Sequence, residues 1–239
     1  MTHTSLIIGG TSGIGLATAI RLAAVGDSVH VAGRRAEKVQ AVTQEHPEFI
    51  GHVIDASDRT ALDALFADLG SVDRLVVTVA SSAGLGAFGA LELGDLRGAF
   101  EAKFWPTVNS LQAALPHLAV DASITLIGAI TGRMGMKETA GIGSLNAAVE
   151  GLVRPLASEL APVRVNAVSP GGVDTPWWDF FPAEAREQFF AQTAATLPVR
   201  HVASADEVAE AVVFAATNRN VTGTIIETDG GAHLGAAAA

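Results

Sequence analysis

Three glycines stand where an anion could be held. The run IGGTSGIGLATAIRLA, residues 8–23, places Gly9, Gly13 and Gly15 between an apolar run and a helical pattern. Glycine permits a tight turn and close backbone approach to a pyrophosphate, and the helix N-terminus then faces that anion. Thr11, Ser12 and Ile14 complete the loop. The spacing is G-x-x-x-G-x-G, not the commoner G-x-G-x-x-G, and its place after the first strand reads as dinucleotide binding. A purely structural turn is the plainer alternative.

Further along, VAGRRAEK ends a second apolar run. An NAD binder carries an acid there for the ribose hydroxyls. Here Gly33 takes that place, and Arg34 and Arg35 follow. Two cations at a helix N-terminus oppose the dipole unless an anion lies between them. A ribose 2′-phosphate fits, so NADP(H) is preferred, with NAD(H) as second choice; a solvated charge pair beside Glu37 is the alternative. Asp55-Ala56 closes the third run, where a carboxylate can accept from an adenine amino group. Asp58 reads as a helix cap.

Two polar residues sit on otherwise apolar helical patterns. Lys103, in FEAKFWP, borders the stripe Phe100, Phe104, Val108, Leu111, Leu115. A partly buried lysine has a lowered pKa and can serve as an acid; a snorkelling lysine at an interface is the alternative. Asn146 is a poor helix former within residues 141–160, where Ile142, Leu145, Val149, Leu152, Leu156 and Leu160 make one stripe.

The elements that must position these groups alternate. Strand runs are expected at 5–9, 28–32, 49–55, 74–80, 123–128, 163–168 and 224–228. Helices are expected near 13–25, 35–45, 58–69, 93–118, 141–160 and 205–216. The strands are nearly continuous in hydrophobicity, as in a parallel sheet covered on both faces. The expectation is α/β: a single-domain Rossmann fold over residues 1–234, with a doubly wound seven-stranded parallel sheet flanked by helices. Residues 235–239 read as a tail.

Composition narrows the function. The 239 residues carry a net charge of −10, which argues against nucleic acid and against an anionic membrane surface. There is no cysteine, so disulfide and thiolate chemistry are excluded. The seven histidines show no ligand spacing, and no metal is expected. No signal peptide or membrane span is apparent, and a cytoplasmic location is the default.

Taken together, these motifs resemble the short-chain dehydrogenases/reductases over essentially the whole chain. The likeness rests on Gly9–Gly15, on Asp55, on VRVNAVSPGGVDTP at 163–176 and on VTGTIIETDGG at 221–231. It implies that Pro170, Gly171, Val173 and Thr175 lie along a nicotinamide, with Val173 backbone and the Thr175 hydroxyl reaching the carboxamide. VTVA, ending at Ala80, stands in place of the family's asparagine-rich turn. The family pairs a tyrosine acid/base with a lysine four residues on, helped by a serine and an asparagine. Aligned on AAVEGL, the tyrosine position holds Ile142 and the lysine position Asn146. The serine position holds Ala129, or Gly128 if shifted by one, and the asparagine position Lys103. The chain has no tyrosine anywhere, so the usual mechanism cannot operate.

The stretch TPWWDFFPAEAREQFF follows the nicotinamide turn, where this family carries its lid. Trp177, Trp178, Phe180 and Phe181 are expected to cover an apolar pocket for a small-molecule substrate; a subunit interface is the alternative. The resemblance also implies a homo-oligomer, dimer or tetramer, paired through a small helix face at Ala147, Ala148 and Gly151. The expected function is an NADP(H)-dependent oxidoreductase with a rebuilt active site. The alternatives are a non-catalytic NADP(H)-binding protein (a sensor or silent subunit) and, behind it, a non-redox lyase or isomerase.

Overall fold

Most strand runs are buried on both faces, so the chain can satisfy their backbone groups only within one sheet. The computed structural model describes residues 2–235; the last four residues of the expected tail lie outside them. β1 (Thr4–Ile8), β2 (Ser28–Gly33), β3 (Ile50–Val53), β4 (Val72–Val77), β5 (Leu118–Ile127), β6 (Arg164–Pro170) and β9 (Ile225–Thr228) pair in parallel. Their order is β3-β2-β1-β4-β5-β6-β9. Strand order therefore reverses between β1 and β4, the switch point where such sheets bind ligands. The expected doubly wound, seven-stranded α/β sheet is observed.

Helices cover both faces. α1 (Gly13–Ala24), α2 (Ala36–Glu45) and α8 (Ala205–Thr217) lie on one side. There Ile7, Leu22, Val31, Val76 and Val212 form one core. α3 (Arg59–Leu69), α4 (Leu93–Ala114), α5 (Ala140–Gly151) and α6 (Val153–Glu159) lie on the other. Leu6, Phe66, Leu75, Ile124, Val149 and Val153 fill the core beneath them. Asp58 caps α3 as expected, its Oδ1 accepting from Ala61 N at 3.0 Å.

Four local differences from the sequence reading have physical causes. Residues 141–160 form two helices, parted at Leu152. Pro155 lacks the N–H that would bond Gly151 O and clashes with that carbonyl. α4 stops at Ala114, and a 3-10 turn with Pro116 carries the chain into β5. β3 is confined to four residues. An unexpected helix, α7 (Ala183–Thr196), follows the aromatic stretch and buries none of its residues. With no apolar stripe it leaves no periodic signal. The two-residue strands β7 (Val173–Asp174) and β8 (Ala203–Ser204) make a separate parallel pair.

Candidate active site

The glycine loop leaves β1 and is locked from β4. Gly9 has φ +90°, a backbone state that favours glycine. A Cβ on Gly15 would lie 2.2 Å from Gly9 O and 2.6 Å from Thr78 Oγ1. The Thr78 hydroxyl donates to Ile8 O at 3.0 Å, holding the end of β4 against the loop. At the end of β2, a Cβ on Gly33 would lie 2.8 Å from the Thr11 methyl. Ser12 caps α1 without a side-chain bond, so its first N–H groups stay available to an anion. A cradle that leaves no room for Cβ atoms and points free N–H groups outward fits a pyrophosphate.

The other expected cofactor residues lie at or just beyond the C-terminal ends of the strands. Arg34 and Arg35 are exposed beyond β2. Asp55 is exposed and Ala56 buried. Asp55 Oδ1 accepts from Ser57 N and Oγ, and with Arg34 nearby these bonds hold the carboxyl below its usual range. Ala80 is exposed past the end of β4. A Cβ on Gly13 would meet Thr175 at 3.4 Å, which joins the segment after β6 to the loop. Gly171 packs on the backbone of Asp229, and Pro170 ends β6. Val173 is buried in β7, and its carbonyl accepts from Trp178 Nε1 at 2.9 Å.

The polar residues between α4 and α5 come together as well. Lys103 does not border the core as its neighbours in sequence suggest. It is 6% exposed, in the middle of α4's buried face. That face includes Ala99, Thr107, Ser110, Ala113 and Ala114 beside Lys103, with Pro106 and Leu111 also buried, while Phe104 is half-buried and Trp105 exposed. Small residues let α4 approach α5 closely, which is why the stripe of large residues is not the deepest one. Lys103 Nζ donates to Asn146 Oδ1 at 2.7 Å and to Gly128 O at 3.4 Å. Asn146 Nδ2 donates in turn to Thr131 Oγ1 at 2.9 Å. Burial pushes the Lys103 pKa down to about 8, against a smaller opposing pull from Glu150.

Ile142 is buried where α5 begins, its N–H donating to Gly84 O at 2.9 Å. Ala129 lies half-buried and extended after β5. Neither side chain can exchange a proton. Thr131 lines a cavity of about 270 Å³ with Phe88, Met134, Met136, Thr139 and Ser144.

The aromatic stretch forms its own cluster beside the cofactor segment. Trp178 packs on Phe180, Phe181, Phe189 and Phe190 at centroid distances of 4.9–6.1 Å. Trp177 Nε1 donates to Ser81 O at 3.2 Å, tying this stretch to the loop after β4.

Sequence reading misses one further network. Glu150 follows Asn146 by one helical turn and is 6% exposed. Its Oε2 accepts from Arg133 Nε at 2.7 Å, and Arg133 also pairs with Glu227. The spacing of Glu150 from Asn146 is the one hint in the sequence, since residues four apart share a helix face. Beyond it, Glu227, Asp229 and His233 bring ligand-type atoms within 4.8 Å of one another. Their charges are met internally: Arg133 pairs with Glu227, and Asp229 accepts from Gly231 N, His233 N and His233 Nδ1. These bonds hold the Asp229 carboxyl below its usual range against burial, which acts the other way.

A doubly wound sheet with a glycine cradle at its switch point defines a dinucleotide-binding class. Residues 9–233 match the family model described as enoyl-(acyl carrier protein) reductase. The chain is 30% identical to the short-chain dehydrogenase/reductase ATR9 of Stachybotrys chlorohalonatus, over 96% of each chain. It is 32% identical to the cis-4-hydroxycyclohexanecarboxylate dehydrogenase of Sinomonas cyclohexanicum, again over 96% of each. Among solved structures it is similar to a small-chain dehydrogenase in complex with NADPH, at 35% identity and a TM-score of 0.87, covering 98% of this chain and 100% of that one. The chain belongs to the short-chain dehydrogenase/reductase family, a family of oxidoreductases. No helix among the described residues is long and apolar enough to cross a membrane.

Proposed function

We propose that this protein is an NADP(H)-dependent oxidoreductase acting on an apolar or aromatic carbonyl or alcohol, with Lys103 in place of the family's phenol as the titrating group. The glycine cradle would hold the pyrophosphate, Arg34 and Arg35 the 2′-phosphate, and Val173 and Thr175 the carboxamide. The relative that binds NADPH supports this assignment. A bound reduced nicotinamide supplies hydride. The substrate oxygen then needs one proton, and a source poised near neutral pH supplies it best: the Thr131 hydroxyl would give its own, taking one from the Asn146 amide nitrogen as the amide oxygen takes one from the Lys103 ammonium. The observation that carries the reading is Lys103, buried on Asn146 with its pKa pushed down to about 8. Asn146 spends its oxygen on that ammonium and its N–H on Thr131, which leaves the Thr131 hydroxyl proton free to point into the cavity. Phe88, Met134 and Met136 make that cavity suited to an apolar group. Trp177, Trp178, Phe180 and Phe181 serve as the lid over the nicotinamide end.

The reading extends to a homo-oligomer paired through Ala147, Ala148 and Gly151 on the outer face of α5, of which Ala147 and Gly151 are exposed, and to a cytoplasmic location. The test is NADPH oxidation over a panel of apolar and aromatic ketones and aldehydes, with NADP⁺ reduction over the matching alcohols. Turnover that falls as pH rises past about 8, and is lost in Lys103→Met, is expected. One observation favours a second reading, a non-catalytic NADP(H)-binding protein: Ala129 and Ile142 leave neither hydroxyl nor phenol at those positions. NADPH binding without turnover on any panel member would select it.

A further inference from the structure

Gly128 directly follows β5 and is approached by two charged side chains. Its carbonyl accepts from Lys103 Nζ at 3.4 Å. A Cβ on it would lie 2.5 Å from Glu150 Oε1 and 2.9 Å from Glu150 Cγ. Glycine at this position is what lets the Glu150 side chain lie against the strand. Glu150 is fixed from the outside by Arg133, yet its Oε1 is buried with no hydrogen-bond partner. A buried carboxylate oxygen left unpaired costs free energy and asks for an explanation. The Lys103 ammonium, which rests on the carbonyl of the same glycine, is a positive charge close by.

We propose that Glu150 is a positioning residue for Lys103: a buried counter-charge that acts beside Gly128 and governs how firmly the ammonium keeps its proton. This rests on the reading of Lys103 as the site's titrating group. The surroundings of Lys103 leave little else to do so. α5 offers Asn146, which is neutral, and Glu150. The segment after β5 offers the Gly128 carbonyl and Arg133, whose charge is spent on Glu150 and Glu227. Glu150 is the neighbouring charge whose sign favours the ammonium against burial. Burial alone would strip it. The two influences oppose each other, so removing either carboxylate or guanidinium shifts Lys103 in a defined direction. Arg133 further links Glu150 to Glu227 at the surface, so the counter-charge is anchored to the sheet edge and not to α5 alone.

The chain's three lysines, Lys38, Lys103 and Lys137, make the test direct. Lysine side chains labelled at Cε and Nζ are titrated by NMR in the full chain without cofactor, and Lys103 is assigned by its loss in Lys103→Met. Glu150→Gln is expected to lower the Lys103 midpoint by roughly half to one unit, with Lys38 and Lys137 unmoved. Glu150→Asp should restore part of the shift. Arg133→Gln, which leaves Glu150 facing Lys103 alone, should raise the midpoint; it also keeps the proposal testable if Glu150→Gln fails to fold. A Lys103 midpoint unchanged in a folded Glu150→Gln, or moved the same way by both variants, overturns the proposal. Turnover is a separate readout. Where the wild type reduces a substrate, Glu150→Gln should move the alkaline fall of its rate to lower pH. If no substrate turns over, the oxidoreductase reading fails, while the NMR titration still decides the role of Glu150.

Discussion

The glycine cradle at the switch point and the polar cluster between α4 and α5 both lie at the C-terminal ends of strands but are made of different things. The cradle is backbone. Gly9, Gly15 and Gly33 are set by carbonyls, by a positive φ and by the tips of Thr11 and Thr78. A single methyl in it strikes main chain that cannot move without moving β1. The polar cluster is side chain. Lys103 reaches Asn146 from α4; by the sequence likeness, the family has the lysine at position 146 and the asparagine at position 103, on the opposite helices. A cation and an amide can trade helices and still meet, because each needs only a direction and a distance. Backbone sites are therefore kept or lost whole, whereas side-chain sites can be rebuilt from the other side.

Lys103→Met should break the side-chain half most severely. If Lys103 is the acid, NADPH-dependent turnover falls about 10²- to 10⁴-fold while NADPH affinity is held, read by steady-state kinetics beside a fluorescence titration. The same variant tests burial through stability. With its pKa lowered from 10.5 to about 8 in the fold, Lys103 is deprotonated in the native state and protonated in the unfolded chain across that interval. The unfolded state then binds more protons, so stability attributable to Lys103 rises with pH through that window, by up to about 3 kcal/mol. Urea unfolding at a series of pH values should show this rise in the wild type and not in Lys103→Met.

The backbone half has its own challenge. Gly15→Ala places a methyl 2.2 Å from Gly9 O. Overpacking of this kind costs about 1–3 kcal/mol, so NADPH affinity should drop roughly 10- to 100-fold by titration, with the α4–α5 cluster undisturbed. Retained affinity would show that the loop is not the pyrophosphate cradle. A milder probe is Arg34→Ala with Arg35→Ala. The ratio of NADPH to NADH affinity should fall about tenfold, as expected for losing charge-assisted contacts at an exposed site. Smallest of all, Trp177→Phe removes one indole hydrogen bond to Ser81 O and should cost about 1 kcal/mol in urea unfolding.

Sequence periodicity carries the sheet and its flanking helices because their signals are local: β-branched runs, glycine after β1, aspartate before α3. It carries the cradle for the same reason, since a Gly-x-x-x-Gly-x-Gly spacing already encodes its turn. The α4–α5 cluster is legible only in part. Lys103 and Asn146 stand out as polar residues on apolar patterns, yet the depth of Lys103 depends on α4 burying its small face, which no stripe announces. Glu150 passes as an ordinary helix glutamate until Gly128, 22 positions earlier, is laid beneath it by strand register. α7 is missed because its aromatic residues satisfy one another and Trp178, not a core. Pro155 and Pro116, by contrast, mark their breaks openly, and reading 141–160 as one helix overlooks the first.

The tie between Trp177 and Ser81 makes the aromatic stretch optically informative. Trp105, Trp177 and Trp178 are the chain's only indoles, and two of them sit edge to face beside the proposed nicotinamide segment, their centroids 4.6 Å apart. Dihydronicotinamide absorbs where tryptophan emits, so the protein's ultraviolet emission doubles as a gauge of the distance between these rings and a reduced dinucleotide. Binding of NADPH can thus be followed in real time with no label attached.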